Sequence, residues 1–361
     1  GHVMHKLSTS SGNLLGSGIA YLRSLCDGTY KGGGWTGTSH PGNLNFTFNI
    51  LGHEIGHQLG ADHSFYGSLG NCSGGNRRAE NGFEPGAGST LMSYESNCGS
   101  HNLDGPPSQF FYFNTHSYNQ ILQFINVQNC GNRTGSASIP SVQIPGNFSV
   151  PINTAFDLTA NASGSYLFNW EQYDTDGGSG HSHPIDGGKY QGTPMYRSYD
   201  PSGTGYHRSF PAKEVQRGSP YNGEVWATVA RDITLRLTTR NGGTIRCDEM
   251  TVTVRNAPAF KILEPLRNAV IDLAETPTRA NSETMTVRWE TGDTETNGFP
   301  TIDILYSIDG GVSFPYLLAD DVPNTGEYEV RPPEIETGQA RLKILLSDGS
   351  GQMAIYHENR G

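Results

Sequence analysis

The segment HEIGHQLGADH, from His53 to His63, places three histidines and one glutamate within eleven residues. Residues four apart share one face of a helix, so His53 and His57 can bind one metal ion through neutral imidazole nitrogens. Gly60 stands where such a helix must end, because glycine readily takes the left-handed backbone conformation. The turn there would bring His63 round as a third ligand. Three protein ligands with one open position are typical of a catalytic zinc site, whereas structural zinc sites are closed by four ligands.

The glutamate of the motif, Glu54, is predicted to act as a general base. It follows the first ligand and lies off the metal axis, so its carboxylate can accept a proton from a metal-bound water without binding the metal. Zinc lowers the pKa of such a water towards about 7, which prepares it to attack a carbonyl carbon. The alternative is a polar helix end that is merely rich in histidine. The full spacing H-E-x-x-H-x-x-G-x-x-H, with the glycine that the geometry requires, favours the zinc site.

Two helices and a strand are predicted around the motif. Apolar residues from Phe48 to Leu59 recur at helical spacing and predict the helix that carries the first two histidines. A second helix is predicted in NTHSYNQILQFINVQNC, ending at Cys130. The segment GSGIAYLRSLCD, which follows a glycine-rich turn, is predicted to be a strand through Ile19 to Arg23.

The remainder of the chain alternates between apolar and polar residues. Runs such as YLFNWEQYD, ITLRLTTR and TIDILYSIDGG have the period of two that is typical of strands with one buried face. A chain of 361 residues is also too long for one ordinary core. We therefore predict a zinc-site domain over residues 1–136, followed by two antiparallel, immunoglobulin-like β-sandwich domains over 137–256 and 257–361. Phe168, Trp170, Ile302, Ile304 and Tyr306 are expected to point inward.

Charge and hydropathy exclude several classes of partner. The formal net charge is −11, and no basic stripe is visible, which argues against nucleic acid. No apolar stretch is long enough to predict a transmembrane segment. No signal peptide pattern is visible, and the abrupt start GHVMHKL is interpreted as a truncated or processed beginning.

The five cysteines favour an oxidising compartment. None of Cys26, Cys72, Cys98, Cys130 and Cys247 belongs to a C-x-x-C pair, and the first four fall within the first 130 residues. Two disulfides and one remaining thiol are the simplest interpretation, and they predict a secreted, extracellular protein. The alternative is five reduced and buried cysteines.

The motif resembles that of the metzincin zinc endopeptidases, whose catalytic domain has an α+β fold. The resemblance includes a downstream Met-turn in STLMSY, with Met92 as its methionine. Segments such as CDGTYKGGGWTG and NCSGGNRRAENGFEPGAGSTLMSY are most similar to reprolysin-like (adamalysin-related) peptidases of secreted bacterial multidomain proteins. The resemblance implies one catalytic zinc held by the three histidines, an apolar floor formed by Met92, and an edge strand near Ile19 that binds extended peptides.

The resemblance also bears on the cysteines and on Tyr94. In reprolysins a disulfide joins the positions that match Cys26 and Cys130, and Cys72 and Cys98, which bracket the Met-turn loop, are then paired with each other. Tyr94 lies two residues after Met92, as in astacins, where the tyrosine stabilises the oxyanion; packing beneath the site is the alternative role.

Two features depart from the reprolysin pattern. Ser64 stands where reprolysins usually carry aspartate. The first strands of a metzincin domain also lie upstream of residue 1, which puts the activity of this chain in doubt.

Two further metal sites are considered on loops. DTDGG, from Asp174 to Gly178, has the start of a calcium-binding loop but lacks the later ligands of an EF-hand. His181 and His183 could bind a second metal ion, although a solvated loop is the simpler interpretation.

The leading hypothesis is a secreted zinc endopeptidase that acts on protein or peptide substrates. The β-sandwich domains would position it or bind a cell-surface or matrix ligand. The rival hypotheses are an adhesin or carbohydrate-binding protein with an inactive metzincin unit, and a zinc enzyme acting on a non-peptide bond. The intact Glu54 favours an active peptidase. Removing residues 257–361 is expected to leave hydrolysis of short peptides unchanged.

Overall fold

The structure analysed is a computed structural model of the 361-residue chain. It describes residues 6–9, 18–38, 44–103, 110–131, 138–162, 165–219, 223–265 and 284–359.

The N-terminal part combines a small sheet with two helices. Its strands are β1 (Lys6–Thr9), β2 (Gly18–Ala20) and β3 (Gly34–Thr38), and its helices are α1 (Leu44–Gln58) and α2 (Thr115–Asn126). The sheet order is β1-β3-β2, with β1 parallel and β2 antiparallel to β3. β2 therefore lies at an edge of this sheet, where an added strand can pair with it.

Strand β2 is shorter than the sequence predicts. Arg23 has a φ of 58°, in the left-handed region that strands do not use. The main-chain amides of Arg23 and Leu25 donate to the carbonyls of His57 and Gln58, at 2.8 and 3.1 Å. Both carbonyls belong to the last turn of α1, where main-chain carbonyls need partners beyond the regular helix pattern, and that of His57 also accepts the amide of Gly60. The segment after β2 thus caps the end of α1 instead of extending the strand.

The rest of the described chain consists mainly of strands. Nine of them, with the short helix α3, are β4 (Phe148–Pro151), β5 (Ala155–Thr159), β6 (Leu167–Gln172), β7 (His207–Phe210), α3 (Lys213–Gln216), β8 (Arg231–Asn241), β9 (Thr244–Arg255), β10 (Lys261–Glu264), β11 (Met285–Glu290) and β12 (Thr301–Ser307). The last four are β13 (Tyr316–Pro323), β14 (Glu327–Val330), β15 (Arg341–Ser347) and β16 (Met353–Glu358).

These strands form three sheets, with orders β4-β9-β8-β6, β10-β11-β14 and β13-β12-β15-β16-β5-β7. The largest sheet crosses the boundary predicted at residue 256. Its strand β16 pairs antiparallel with β5, so that Met353 lies opposite Leu158 and Ile355 opposite Phe156. One apolar core likewise runs from Val150 to Ile355. The structure therefore differs from the two separate sandwiches expected from the sequence, because alternation marks the buried face of a strand but does not select its partner.

The inward residues predicted from the alternation are buried. Phe168, Trp170, Ile302, Ile304 and Tyr306 all lie in the shared core. No helix in the described part of the chain has the length and apolarity needed to span a membrane.

Candidate active site

The three histidines of the motif converge on one point. The Nε2 atom of His57 lies 3.1 Å from that of His53 and 3.1 Å from that of His63, and the other two are 3.2 Å apart. Nitrogens around a tetrahedral zinc, bound at 2.0–2.1 Å, are separated by about 3.3 Å. In the described part of the chain, this is the one group of three or more His, Cys, Asp or Glu side chains arranged to hold a metal ion.

The opposite ring nitrogens show which protonation state the site requires. Each Nδ1 faces a main-chain carbonyl: that of Leu91 for His53 (2.6 Å), Ala61 for His57 (2.8 Å) and Asn76 for His63 (2.6 Å). A carbonyl only accepts, so each Nδ1 carries the proton and each Nε2 presents a lone pair. Three lone pairs at this separation repel one another unless a cation lies between them. The residues present therefore fit a zinc ion, with a carbonyl orienting each ligand.

Burial keeps these imidazoles in the neutral form that binds metal. Desolvation lowers the pKa of His53 well below its ordinary value and that of His63 to about 3, and their histidine neighbours lower both further. Desolvation also lowers the pKa of His57. Neutral ligands do not have to release a proton before binding a metal, so the site is prepared for one at neutral pH.

Glu54 lies beside the ligands but is not among them. Its side chain is only 5% exposed, and burial raises the pKa of its carboxyl group to about 7. The carboxylate packs against the backbone of β2, because a Cβ atom at Gly18 would overlap it. Glu54 is thus enclosed between α1 and β2.

The end of α1 brings the third histidine into place. The amide of Ala61 donates to the carbonyl of Gly56 (2.9 Å), and that of Gly60 donates to the carbonyl of His57 (3.0 Å). These two bonds form a Schellman motif around Gly60, whose φ is +108°. A Cβ atom there would lie 2.7 Å from Cβ of Phe124. Both the backbone conformation and the packing against α2 therefore require glycine.

The Met-turn supports the site from below. Met92 is completely buried, and its carbonyl accepts the amide of Ser64, the residue after the third histidine (3.0 Å). A Cβ atom at Gly56 would overlap Sδ of Met92. Gly56, the first of the two glycines in the segment, thus lets this sulfur pack against the helix backbone. The carbonyl of the preceding residue, Leu91, orients His53.

Tyr94 lies next to two of the histidines. Its ring centroid is 4.6 Å from that of His63, nearly edge-on, and 5.7 Å from that of His53. Burial and the nearby Glu54 carboxylate raise the pKa of its hydroxyl to about 12, so it stays protonated and can donate a hydrogen bond. Its ring also packs on Phe65. The position is compatible with both roles considered for Tyr94.

Two disulfides secure the loops around the site. Cys26 bonds to Cys130, and Cys72 bonds to Cys98, which is the pairing that the resemblance implies. The second bridge closes the loop that includes Asn76, whose carbonyl orients His63. The fifth cysteine, Cys247, is a free thiol.

A buried carboxylate, Glu84, contacts Ser64, the residue that follows the third histidine. One of its oxygens accepts the hydroxyls of Ser64 and Thr90, both at 2.6 Å, and the Asn114 side chain at 2.9 Å. The other accepts the amide of Ser89 at 2.8 Å. Glu84 therefore links the third ligand, the Met-turn and the start of α2. Its role could not be predicted from the sequence, because one glutamate in a loop gives no signal without its partners.

The side chains of the two candidate metal sites on loops, the calcium loop and the His181–His183 pair, contact other protein groups. Asp176 accepts hydrogen bonds from Tyr66, Ser179 and other donors, and Asp174 accepts from the amide of Thr234 at 3.1 Å. Calcium thus gains no support from the geometry. The ring of His181 stacks on a tyrosine. His183 faces the ring of His101 at 5.1 Å, and neither histidine belongs to a group of three ligands among the described residues.

Comparisons with known proteins bear mainly on the N-terminal part. Residues 1–123 match the family model described as Metallo-peptidase family M12B Reprolysin-like. No curated protein matches the chain.

Similarities to solved structures are weak. The N-terminal four Ig domains of Dscam1 isoform 6.9 are 11% identical over 62% of this chain and 47% of that one, with a TM-score of 0.18. The three N-terminal domains of the Highly Immunogenic Outer Capsid protein (Hoc) of bacteriophage RB49 are 11% identical over 61% and 66%, with a TM-score of 0.17. The chain thus spans about half the length of the Dscam1 structure, and scores this low define no common fold.

The family match covers the converging histidines, Glu54 and the Met-turn together. Residues 1–123, about a third of this chain, are therefore similar to the reprolysin-like peptidases of metallopeptidase family M12B.

Proposed function

We propose that the chain is a zinc-dependent endopeptidase whose catalytic unit is residues 1–136. The observation that carries this proposal is the convergence of three Nε2 lone pairs held by main-chain carbonyls. His53, His57 and His63 would hold the zinc. When bound there, zinc would activate water and polarise the carbonyl of the scissile bond.

Glu54 is the proposed general base. Its carboxylate is enclosed between α1 and β2, where it can take a proton from the attacking water and pass it to the leaving amine nitrogen. Tyr94 keeps its hydroxyl proton and would donate a hydrogen bond to the developing oxyanion. Neither residue is needed to hold the metal.

The substrate is proposed to be an extended peptide that pairs with β2. This strand lies at a sheet edge, so its outer main-chain groups are available for hydrogen bonding. Apolar side chains around it are unusually exposed: Ile19 is 71% exposed, Tyr21 54% and Leu22 41%. Exposed apolar groups beside an open strand edge favour a polypeptide over a small non-peptide substrate.

We also propose an extracellular location for the protein and a role in positioning or binding for its β-rich part. Two disulfides favour an oxidising, extracellular location. The segments 137–256 and 257–361 contribute no candidate catalytic cluster among their described residues, so we assign them the positioning of the enzyme or the binding of a surface or matrix ligand.

The test is hydrolysis of casein by the full chain, with Glu54→Gln as the variant and Glu80→Gln, an exposed glutamate of the same unit, as the control. We expect Glu54→Gln to lose activity by about a hundredfold or more, because general base catalysis contributes that much. Its zinc content, measured by atomic emission, should stay near one per chain.

Two outcomes would contradict the proposal. Near-normal hydrolysis by Glu54→Gln would exclude this base. A zinc-loaded, folded wild-type chain without hydrolytic activity would favour the rival adhesin with an inactive peptidase unit.

A further inference from the structure

A cavity of 970 Å³ lies in the β-rich part of the molecule, outside the candidate active site. It is bounded by α3, by β16 and by the turn at Gly310 and Gly311, together with Lys261 of β10. Its walls thus come from both segments that share the large sheet. The volume is at the upper end of the range typical of small-ligand sites, about 300–1,000 Å³.

The lining is cationic in a chain whose formal net charge is −11. Four cations line the cavity, namely Lys213, Arg217, Lys261 and Arg341, against one carboxylate, Glu358. Glu358 is already paired with Lys213 at 3.4 Å and with Lys343 at 3.5 Å. The other three lining cations have no acidic partner within salt-bridge distance in the described part of the chain.

Three of the lining side chains are joined by hydrogen bonds. Nζ of Lys213 donates to the hydroxyl of the buried Tyr356 at 2.6 Å and lies 3.9 Å from the centre of its ring. The side-chain amide of Gln216 donates to the same hydroxyl at 2.8 Å. A ligand would meet prearranged donors here, which reduces the entropy lost on binding.

The surroundings select against an extended peptide. β16 pairs with β15 from Ala354 to Glu358 and with β5 from Met353 to Tyr356, so Tyr356 at the cavity already has a paired strand on both sides. The half-buried Trp226 also lines the cavity. Three cations without acidic partners beside an indole fit a compact ligand that carries both an anionic group and a ring-shaped body.

We propose that this cavity binds an acidic saccharide. Arg217, Lys261 and Arg341 would hold its carboxylate or sulfate group, and Trp226 would pack against the sugar ring. The site is independent of the peptidase chemistry and would place the enzyme on acidic glycans.

The test is isothermal titration of the full chain with a sulfated, uronate-containing disaccharide. Lactose is the uncharged comparison, and sodium sulfate is the free anion. The double variant Lys261→Gln/Arg341→Gln should bind the disaccharide at least about tenfold more weakly than the wild type, because two charge-assisted hydrogen bonds are lost. Arg331→Gln, an exposed cation outside the cavity, is the matched control, and casein hydrolysis with circular dichroism verifies folding.

Support would be saturable binding of the disaccharide, no binding of lactose, and weaker binding in higher salt. Trp226→Leu should weaken disaccharide binding and leave sulfate binding unchanged. The proposal is overturned if the disaccharide does not bind, if the double variant binds it normally, or if lactose or sulfate binds as tightly. Tighter binding of an acidic peptide would also overturn it.

Discussion

Replacement of Glu171 by alanine should destabilise the contact between the peptidase unit and the β-rich part. The carboxylate of Glu171, at 1% exposure, accepts the amide of Thr115 at 3.1 Å and the hydroxyls of Ser198 and Thr238 at 3.0 and 3.3 Å. Arg240 lies 3.9 Å away. Thr115 is the first residue of α2, so a carboxylate from β6 accepts the hydrogen bond of the first main-chain amide of that helix.

The expected cost follows from these partners. The hydroxyls of Ser198 and Thr238 can rotate towards other acceptors, whereas the amide of Thr115 cannot move without unwinding the helix. One buried amide without a partner costs about 1–3 kcal/mol. Leaving Arg240 without its buried anion raises the total to about 3–5 kcal/mol, the usual effect of breaking a buried ion pair. Loss of a negative charge at the helix N-terminus acts in the same direction.

The assay is urea unfolding of the full chain followed by tryptophan fluorescence, since Trp170 lies next to Glu171 in β6. Glu329→Ala, an exposed glutamate, is the matched control and should change the free energy of unfolding by less than about 0.5 kcal/mol. Glu171→Gln keeps an acceptor for Thr115 and should fall between the two. If Glu171→Ala unfolds within about 0.5 kcal/mol of the wild type, the inferred role of this carboxylate is refuted.

Three further predictions test other parts of the structure. Burial, and to a lesser extent Arg236, lower the pKa of His116 to about 4, so the unfolded chain binds a proton more readily, and His116 should account for about 2 kcal/mol of the stability lost between pH 7 and pH 5, in addition to the loss from the buried His53, His57 and His63; the loss measured from urea unfolding should be smaller by that amount in His116→Gln, and an equal loss in the variant and the wild type would contradict the assignment. Gly60→Ala should cost about 1–3 kcal/mol and weaken zinc retention against a chelator, because of its positive φ and its contact with Phe124; unchanged retention would exclude this role. Deletion of residues 257–361 removes strands that share a sheet with β5, so we expect the rest of the β-rich part to lose cooperative unfolding, in contrast to the two separate domains expected from the sequence. A stable, cooperatively folded product would instead support two separate domains.

The sequence by itself determined the features that depend on short-range spacing. Residues four apart on a helix must share a face, and the glycine three residues after His57 ends that helix, so the convergence of the three histidines followed from spacing. Alternation likewise identified the buried faces of strands, including Trp170 and Ile304. These inferences hold because helix and strand geometry repeat identically in every protein.

Only the tertiary structure decided which distant groups meet. The carbonyls that orient His53 and His63, the partners of Glu84, and the pairing of β16 with β5 all join segments far apart in the chain. Glu171 illustrates the same point, since it occupies an ordinary strand position and becomes a helix cap only through packing. Such contacts depend on burial and on the mutual fit of whole elements, and local spacing carries no information about either.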